Sequence, residues 1–214
     1  ASEQYRVLRE EIEPGLAEAG IRRVTPDRLS ERQYRYLERR FNETLFPVLS
    51  PVAVPVPSAC PTLRNLGLYL AVRLHPGEQG KTPRYALVYL SESLPRIETL
   101  PAEAGYEYAL LEDVVALFAD RLLPGQRIME KKAFRITRNA DLSVREDAAG
   151  DLLSEMKDVL EARKRSGCVR LEISEDTSRT MFRFLGQITG VNERDVYRQG
   201  GPLDLSGLMP LTDQ

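Results

Sequence analysis

Residues 110–142 read LLEDVVALFADRLLPGQRIMEKKAFRITRNADL and combine the two periodicities that decide the fold. The apolar residues of the first half recur at spacings of three and four, which predicts an amphipathic helix with one buried stripe. Pro124 and Gly125 predict the end of that helix. The stripe consists of Leu111, Val114, Val115, Phe118 and Leu122.

The second half of this stretch changes to a period of two. Phe134 and Ile136 alternate with Arg135 and Thr137, so the two pairs point to opposite sides. This alternation predicts a half-buried strand, and residues 139–141 predict the turn that closes it.

Further strands and helices are expected on both sides of this centre. Alternating apolar residues predict a strand over 66–74, and a polar loop connects it to a second strand over 84–90, as in an antiparallel hairpin. The later part predicts, in order, a helix over 152–160, a strand over 169–173, a helix capped by Ser178 and ended by Gly190, and a short edge strand over 196–199.

The first 45 residues carry helical signals and no convincing strand. A helix over residues 3–13 is expected to stop at Pro14, and a second helix is expected from the N-cap Ser30 to Leu45. Residues 46–61 contain five prolines, which predict an extended connector. The sequence therefore predicts an α+β fold, a helical N-terminal appendage followed by a mixed sheet-and-helix head domain with its helices on one face of the sheet.

Composition indicates an ordinary globular chain. Hydrophobic residues make up 42% and charged residues 29% of the 214 residues. The formal net charge of −2 supplies no global field for nucleic acid, which we do not expect as a partner. Cys60 and Cys168 lie in unrelated segments, as expected in a reducing cytoplasm. No apolar run approaches the roughly 18 residues of a membrane span.

Catalytic signals are weak. His75 is the only histidine of the sequence and stands in a polar Pro-Gly turn, and neither standard glycine-rich phosphate loop occurs. Adjacent carboxylates, such as Glu112 and Asp113, are expected to serve helix capping and solubility, because neighbouring positions on a helix do not face each other. We therefore expect no catalytic residue and no metal site in this chain.

One local basic cluster is a candidate for polyanion binding. It consists of Lys131, Lys132, Arg135 and Arg138. Side chains on one strand face could contact polyphosphate, the phosphates of ATP or RNA. The alternative is a solvated face whose cations pair with the neighbouring helix.

The sequence resembles a known family in these same segments. The helix end and the strand FRITRNADL are similar to the middle, or head, domain of polyphosphate kinase. The similarity continues in order through four further segments, at residues 45–54, 65–72, 167–173 and 195–205.

The resemblance implies a division of the chain and a role for it. The end of a helical N-terminal domain would comprise residues 1–45, and a connector would follow over residues 46–61. The head domain would comprise residues 62–209, and a linker to catalytic domains would begin at residues 210–214. The parent would transfer the γ-phosphate of ATP reversibly to polyphosphate, using Mg²⁺ and a phosphohistidine of its C-terminal domains. The head would provide scaffolding, contacts to other subunits in a homo-oligomer and part of the nucleotide channel. This chain alone would be inactive and bind no cofactor.

Other interpretations stay open at this point. A free-standing, non-catalytic head-like module for binding or oligomerisation is the main alternative. A ferredoxin-like RNA binder is a third, although paired RNP aromatics and a basic pI are lacking. The sequence does not distinguish a trimmed piece, a degenerate copy and a natural short protein.

Overall fold

The fold is taken from a computed structural model, which describes residues 2–55, 62–77, 80, 82–139 and 167–213. The predicted helix over 152–160, most of the predicted turn at 139–141 and Cys60 lie outside these residues.

Helices dominate the beginning of the described chain and strands its middle. The α-helices are α1 Ser2–Val7, α2 Glu13–Glu18, α3 Glu31–Arg40, α4 Leu111–Leu117, α5 Ala119–Leu122 and α6 Arg179–Thr189. The strands are β1 Ile21–Arg23, β2 Pro51–Val54, β3 Leu68–Leu74, β4 Arg84–Leu90, β5 Ile97–Leu100, β6 Tyr106–Leu110, β7 Ile128–Arg138, β8 Cys168–Ser174 and β9 Val196–Gln199. Short π-helices cover Leu8–Ile12 and Phe41–Leu45, and 3₁₀-helices cover Pro26–Arg28, Glu193–Asp195 and Leu205–Asp213.

The strands form two sheets. The larger sheet has the order β2-β4-β3-β7-β8-β9, and the smaller has the order β1-β6-β5. β3 pairs antiparallel with both β4 and β7, which confirms the predicted hairpin, and β9 is the predicted edge strand, parallel to β8. The α+β class is confirmed.

The buried stripe and the alternation predicted within residues 110–138 are confirmed, although the predicted helix is divided at Phe118 into α4 and α5. All five residues of the predicted stripe are buried, on α4, on α5 and at their junction. In β7, Phe134 and Ile136 are buried while Arg135 and Thr137 are partly exposed. The strand begins at Ile128, earlier than the alternation alone indicated.

Two predicted N-caps are confirmed. The Ser30 side chain accepts a hydrogen bond from the backbone N–H of Gln33, and the Gln33 side chain accepts one from the Ser30 N–H. This reciprocal pair is a capping box. Ser178 caps α6 by accepting a single hydrogen bond from the N–H of Met181, and Gly190 ends that helix with φ = 67°.

The prediction that Pro14 stops the first helix is wrong. The helical run continues to Glu18, through the π-helix Leu8–Ile12. The N–H of Glu13 donates to the carbonyl of Leu8, five residues back. Pro14 therefore lies in the first turn of α2, where the missing N–H of proline is tolerated.

The prediction of no strand among the first 45 residues is also wrong. β1 pairs in parallel with β6, from Ile21 opposite Tyr106 to Arg23 opposite Tyr108. Three residues are too few for an alternation to be recognised in the sequence. The strand exists because β6, far along the chain, supplies its hydrogen-bonding partners.

The prediction that the helices pack on one face of the sheet is wrong as well. α4 and α5 pack on the face that carries Leu70 and Val72, whereas α6 packs on the opposite face, against Tyr69 and Ala71. Both faces of β3 are buried because residues at both alternating positions are predominantly apolar.

The N-terminal segment shares the larger hydrophobic core. Leu37, Phe41 and Leu45 are essentially inaccessible and belong to the same cluster as Val88 and Val115. The division at residues 45, 61 and 209 stays a prediction. Because residues on both sides of position 45 share this core, we expect them to unfold together.

Candidate functional site

The basic cluster lies on β7, and its members point to both faces of the sheet. Lys131 is opposite Val72 and Lys132 is opposite Ala71, so the two lysines lie on different faces. By the alternation of the strand, Arg135 shares the face of Lys131. The structure thus does not bring the four cations together on one surface.

Both lysines bind groups of the protein itself. The Nζ of Lys131 donates to the backbone carbonyl of Ala116 at 2.6 Å, near the C-terminal end of α4, where the helix dipole favours a cation. The Nζ of Lys132 pairs with the carboxylate of Asp176. That hydrogen bond lowers the pKa of Asp176, against the opposing effect of burial.

The two arginines are engaged in the same way. Arg135 donates to the carbonyl of Leu66 at 2.9 Å and lies 3.5 Å from Glu172 and 3.4 Å from Asp204. Arg138 donates from Nε to the carbonyl of Leu63 at 3.0 Å. A polyanion at this cluster would have to compete with these contacts, and its binding there stays a prediction.

A cavity of about 480 Å³ opens beside this cluster. Its charged wall consists of Arg23, Lys131, Lys132, Glu112, Asp113, Glu175 and Asp176. Acids outnumber bases, and Arg23 already pairs with Asp113 at 2.8 Å. The wall therefore lacks the excess of one sign that would select a polyanion.

A buried ion pair near this cavity was missed by the sequence analysis. Arg96 donates from Nε and Nη2 to the two carboxylate oxygens of Glu112, at 2.8 and 2.6 Å. It also donates to the backbone carbonyls of Leu203 and Asp204. Glu112 is thus not a solubility residue, since it anchors a guanidinium that fixes the loop after β9. The position of Glu112 at the start of a helix with a buried stripe was the only feature of the sequence that could have indicated a buried carboxylate.

A second anchor joins β7 to α6. The backbone N–H of Ser178 donates to the carboxylate of Glu130 at 2.9 Å, and the Ser178 hydroxyl donates to the same carboxylate. Arg73 also pairs with Glu130, at 3.1 Å. Burial alone would raise the pKa of Glu130, but the hydrogen bonds from Ser178 and Arg73 outweigh it and lower the pKa below the ordinary value of 4.5.

This lowered pKa gives a test by pH. A carboxyl group whose pKa is lower in the folded state stabilises the fold above its unfolded pKa and ceases to do so as the pH falls through the folded pKa. We expect Glu130→Gln to be less stable than wild type at pH 7, and the difference to shrink steadily below pH 4.5. Urea unfolding at several pH values measures this. A difference that does not change with pH would contradict the role of Glu130.

The lone histidine lies apart from these contacts. The Nδ1 of His75 accepts a hydrogen bond from the N–H of Gly77 at 3.3 Å, and His75 does not line the cavity. Within the described ranges, no three His, Cys, Asp or Glu residues are placed to hold a metal ion. The absence of catalytic and metal-binding residues from the whole chain stays a prediction.

An apolar groove of about 520 Å³ separates the first helical run from the C-terminal 3₁₀-helix. Apolar side chains make up most of its wall, and Ile12 and Met209 are 47% and 62% exposed. Such a surface is typical of an interface. Among the described residues, no helix is both long enough and apolar enough to cross a membrane.

Comparison with known proteins identifies the family. The family model described as the polyphosphate kinase middle domain matches residues 32–211. The chain belongs to the polyphosphate kinase family. The match begins within α3 and includes both sheets apart from β1.

Named relatives and a solved structure agree with this assignment. Polyphosphate kinase of Halalkalibacterium halodurans is 39% identical over 210 residues, which is 97% of this chain and 30% of that protein. The Mycobacterium tuberculosis enzyme is 37% identical over 220 residues. The crystal structure of polyphosphate kinase from Porphyromonas gingivalis superposes with a TM-score of 0.75 at 26% identity, covering 95% of this chain and 29% of that one. The chain thus spans about 30% of the length of these relatives.

Proposed function

We propose that this chain is the end of the N-terminal domain and the middle domain of a polyphosphate kinase. The parent enzyme transfers the γ-phosphate of ATP reversibly to inorganic polyphosphate, with Mg²⁺ and a phosphohistidine outside this chain. The observation that carries the proposal is that 97% of the chain aligns with 30% of a protein named polyphosphate kinase.

Within that parent, the chain acts as a scaffold that contacts other subunits and lines part of the nucleotide channel. Two features of the structure support this role. The cations of β7 are bound to carboxylates and carbonyls of the protein, as expected of structural residues. The apolar groove beside Ile12 and Met209 is a surface for the remaining domains or another subunit.

A chimera tests the proposed function. The segment of the Halalkalibacterium halodurans enzyme that aligns with this chain is replaced by residues 1–214, and synthesis of polyphosphate from ATP is measured against the native enzyme. We expect the chimera to retain at least about a tenth of the native rate, a loss of no more than about 1.4 kcal/mol, because the backbone fold matches that of a relative with a TM-score of 0.75. A folded, soluble chimera without any synthesis would contradict the proposal.

The chain by itself is expected to be inactive. Phosphoryl transfer needs an aligned nucleophile and a clamp on the transferring oxygens, and His75 in its turn offers neither. Incubation with γ-labelled ATP and Mg²⁺ should leave protein and polymer unlabelled. Label on wild type that is absent from His75→Ala would show that the phosphohistidine lies in this chain.

A further inference from the structure

Three arginines lie in a row on the exposed face of α3. Arg32, Arg35 and Arg39 follow one another at spacings of three and four, so their side chains share one side of the helix. All three are exposed. Together with Glu31, Tyr36 and Pro101 they line an open pocket of about 550 Å³.

The walls of this pocket are held in place by buried polar contacts. The side chain of Gln33, only 5% exposed, donates to the carbonyl of Pro101 at 3.2 Å and to the carboxylate of Glu107. About two helical turns further on, Arg40 pairs with the buried Glu98 at 3.0 Å. α3 is thereby fixed against β5 and β6, so a ligand would not have to order the backbone of its site.

The charges of this row are free to bind a ligand, unlike those of β7. Among the described residues, Arg32 and Arg39 have no hydrogen-bond or ion-pair partner. Within the described part of the chain, Arg35 pairs with Glu31 alone, and their side chains are 72% and 78% exposed. An exposed pair of this kind is weak and is readily exchanged for a stronger partner. The row therefore carries uncommitted positive charge on a chain whose net charge is −2.

We propose that the α3 row binds linear inorganic polyphosphate at a site separate from the β7 cluster. Seven residues of helix extend about 10 Å from Arg32 to Arg39. A chain with a negative charge on every phosphate can contact all three guanidinium groups at once, whereas orthophosphate can reach only one or two. The planar fork of arginine suits phosphate oxygens, and Tyr36, whose side chain carries a hydroxyl, also lines the pocket. The choice of ligand rests on the proposed function.

The test is direct binding of polyphosphate, labelled with a fluorophore at one end, to the 214-residue chain. Fluorescence anisotropy measures the affinity. The variant Arg32→Gln/Arg39→Gln is compared with Arg179→Gln/Arg183→Gln, which removes two exposed arginines from α6. We expect at least about a tenfold loss of affinity in the first variant and less than about twofold in the second. The slope of log affinity against log salt should fall by about 1.4 in the first variant, if each arginine contributes as in single-stranded nucleic acid.

Each outcome decides the proposal. Selective loss in the α3 variant, with an unchanged unfolding midpoint and weaker binding of orthophosphate than of polyphosphate, supports it. No binding by wild type, or equal losses in the two variants, overturns it. Single-stranded RNA that binds as tightly as polyphosphate would assign the row to nucleic acid instead. The chimera can be active whichever result is found, so failure here is distinguishable from failure of the proposed function.

Discussion

Replacing Phe41 with alanine is expected to lower the free energy of unfolding by about 3–5 kcal/mol. Phe41 is fully buried, and the distance between the centroids of its ring and the ring of Phe118 is 5.1 Å. Removing it leaves a cavity where the N-terminal segment meets α4 and the junction before α5. Because residues on both sides share this core, we expect a single transition in which both parts of the chain lose structure together.

Phe46 provides the matched control. It is the next phenylalanine along the chain, 45% exposed, with its ring 6.2 Å from that of Phe41. Phe46→Ala should cost less than about 1 kcal/mol. Urea unfolding followed by circular dichroism measures both variants. Loss of helical signal at a lower urea concentration than loss of the sheet would show instead that residues 1–45 unfold separately, as the division expected at residue 45 implies.

Replacing Glu112 with alanine is expected to cost about 3–5 kcal/mol, because it leaves the Arg96 guanidinium buried without its carboxylate. The two side chains are 7% and 13% exposed, and their bidentate contact holds the loop that carries Asp204. Asp204 adopts φ = 56°, a backbone conformation that needs support from its surroundings. The loop should therefore become sensitive to proteases in this variant, and mass spectrometry of early fragments would show cleavage near residue 204.

An exposed pair serves as the control for this effect. Glu31→Ala removes a partner from Arg35, whose charge stays in water, so the expected cost is below about 1 kcal/mol. The double variant Arg96→Met/Glu112→Leu should regain only part of the loss, since the carbonyls of Leu203 and Asp204 lose their donor. Equal costs for Glu112→Ala and Glu31→Ala would show that the buried pair contributes no more than a surface pair.

Local patterns were sufficient for most of the larger sheet and its helices. The alternation of β3 and of Phe134 to Thr137, the stripe of α4 and α5, and the serine caps of α3 and α6 all depend on residues a few positions apart. Such spacings determine which side chains share a face before any tertiary contact forms. The same residues carried the resemblance to polyphosphate kinase, which the family match confirms.

The polar contacts could not be predicted in the same way. Arg96 meets the carbonyl of Asp204, 108 positions away, and Gln33 meets Glu107, 74 positions away. No local spacing indicates such partners. In the sequence, the cations of β7 and the arginines of α3 therefore look equally free to bind a ligand.

By itself, then, the sequence determined most strands of the larger sheet, the helices packed on it and their buried stripes, because these follow from periodicity between near neighbours. Its resemblance to the family rested on matching segments in the same order along the chain. Only the tertiary structure decided that both faces of the sheet are covered, that β1 has a partner strand, and which cations are bound. The physical reason is that a buried charge or an edge strand is stabilised by whatever packs against it, and packing joins segments that are distant in the chain.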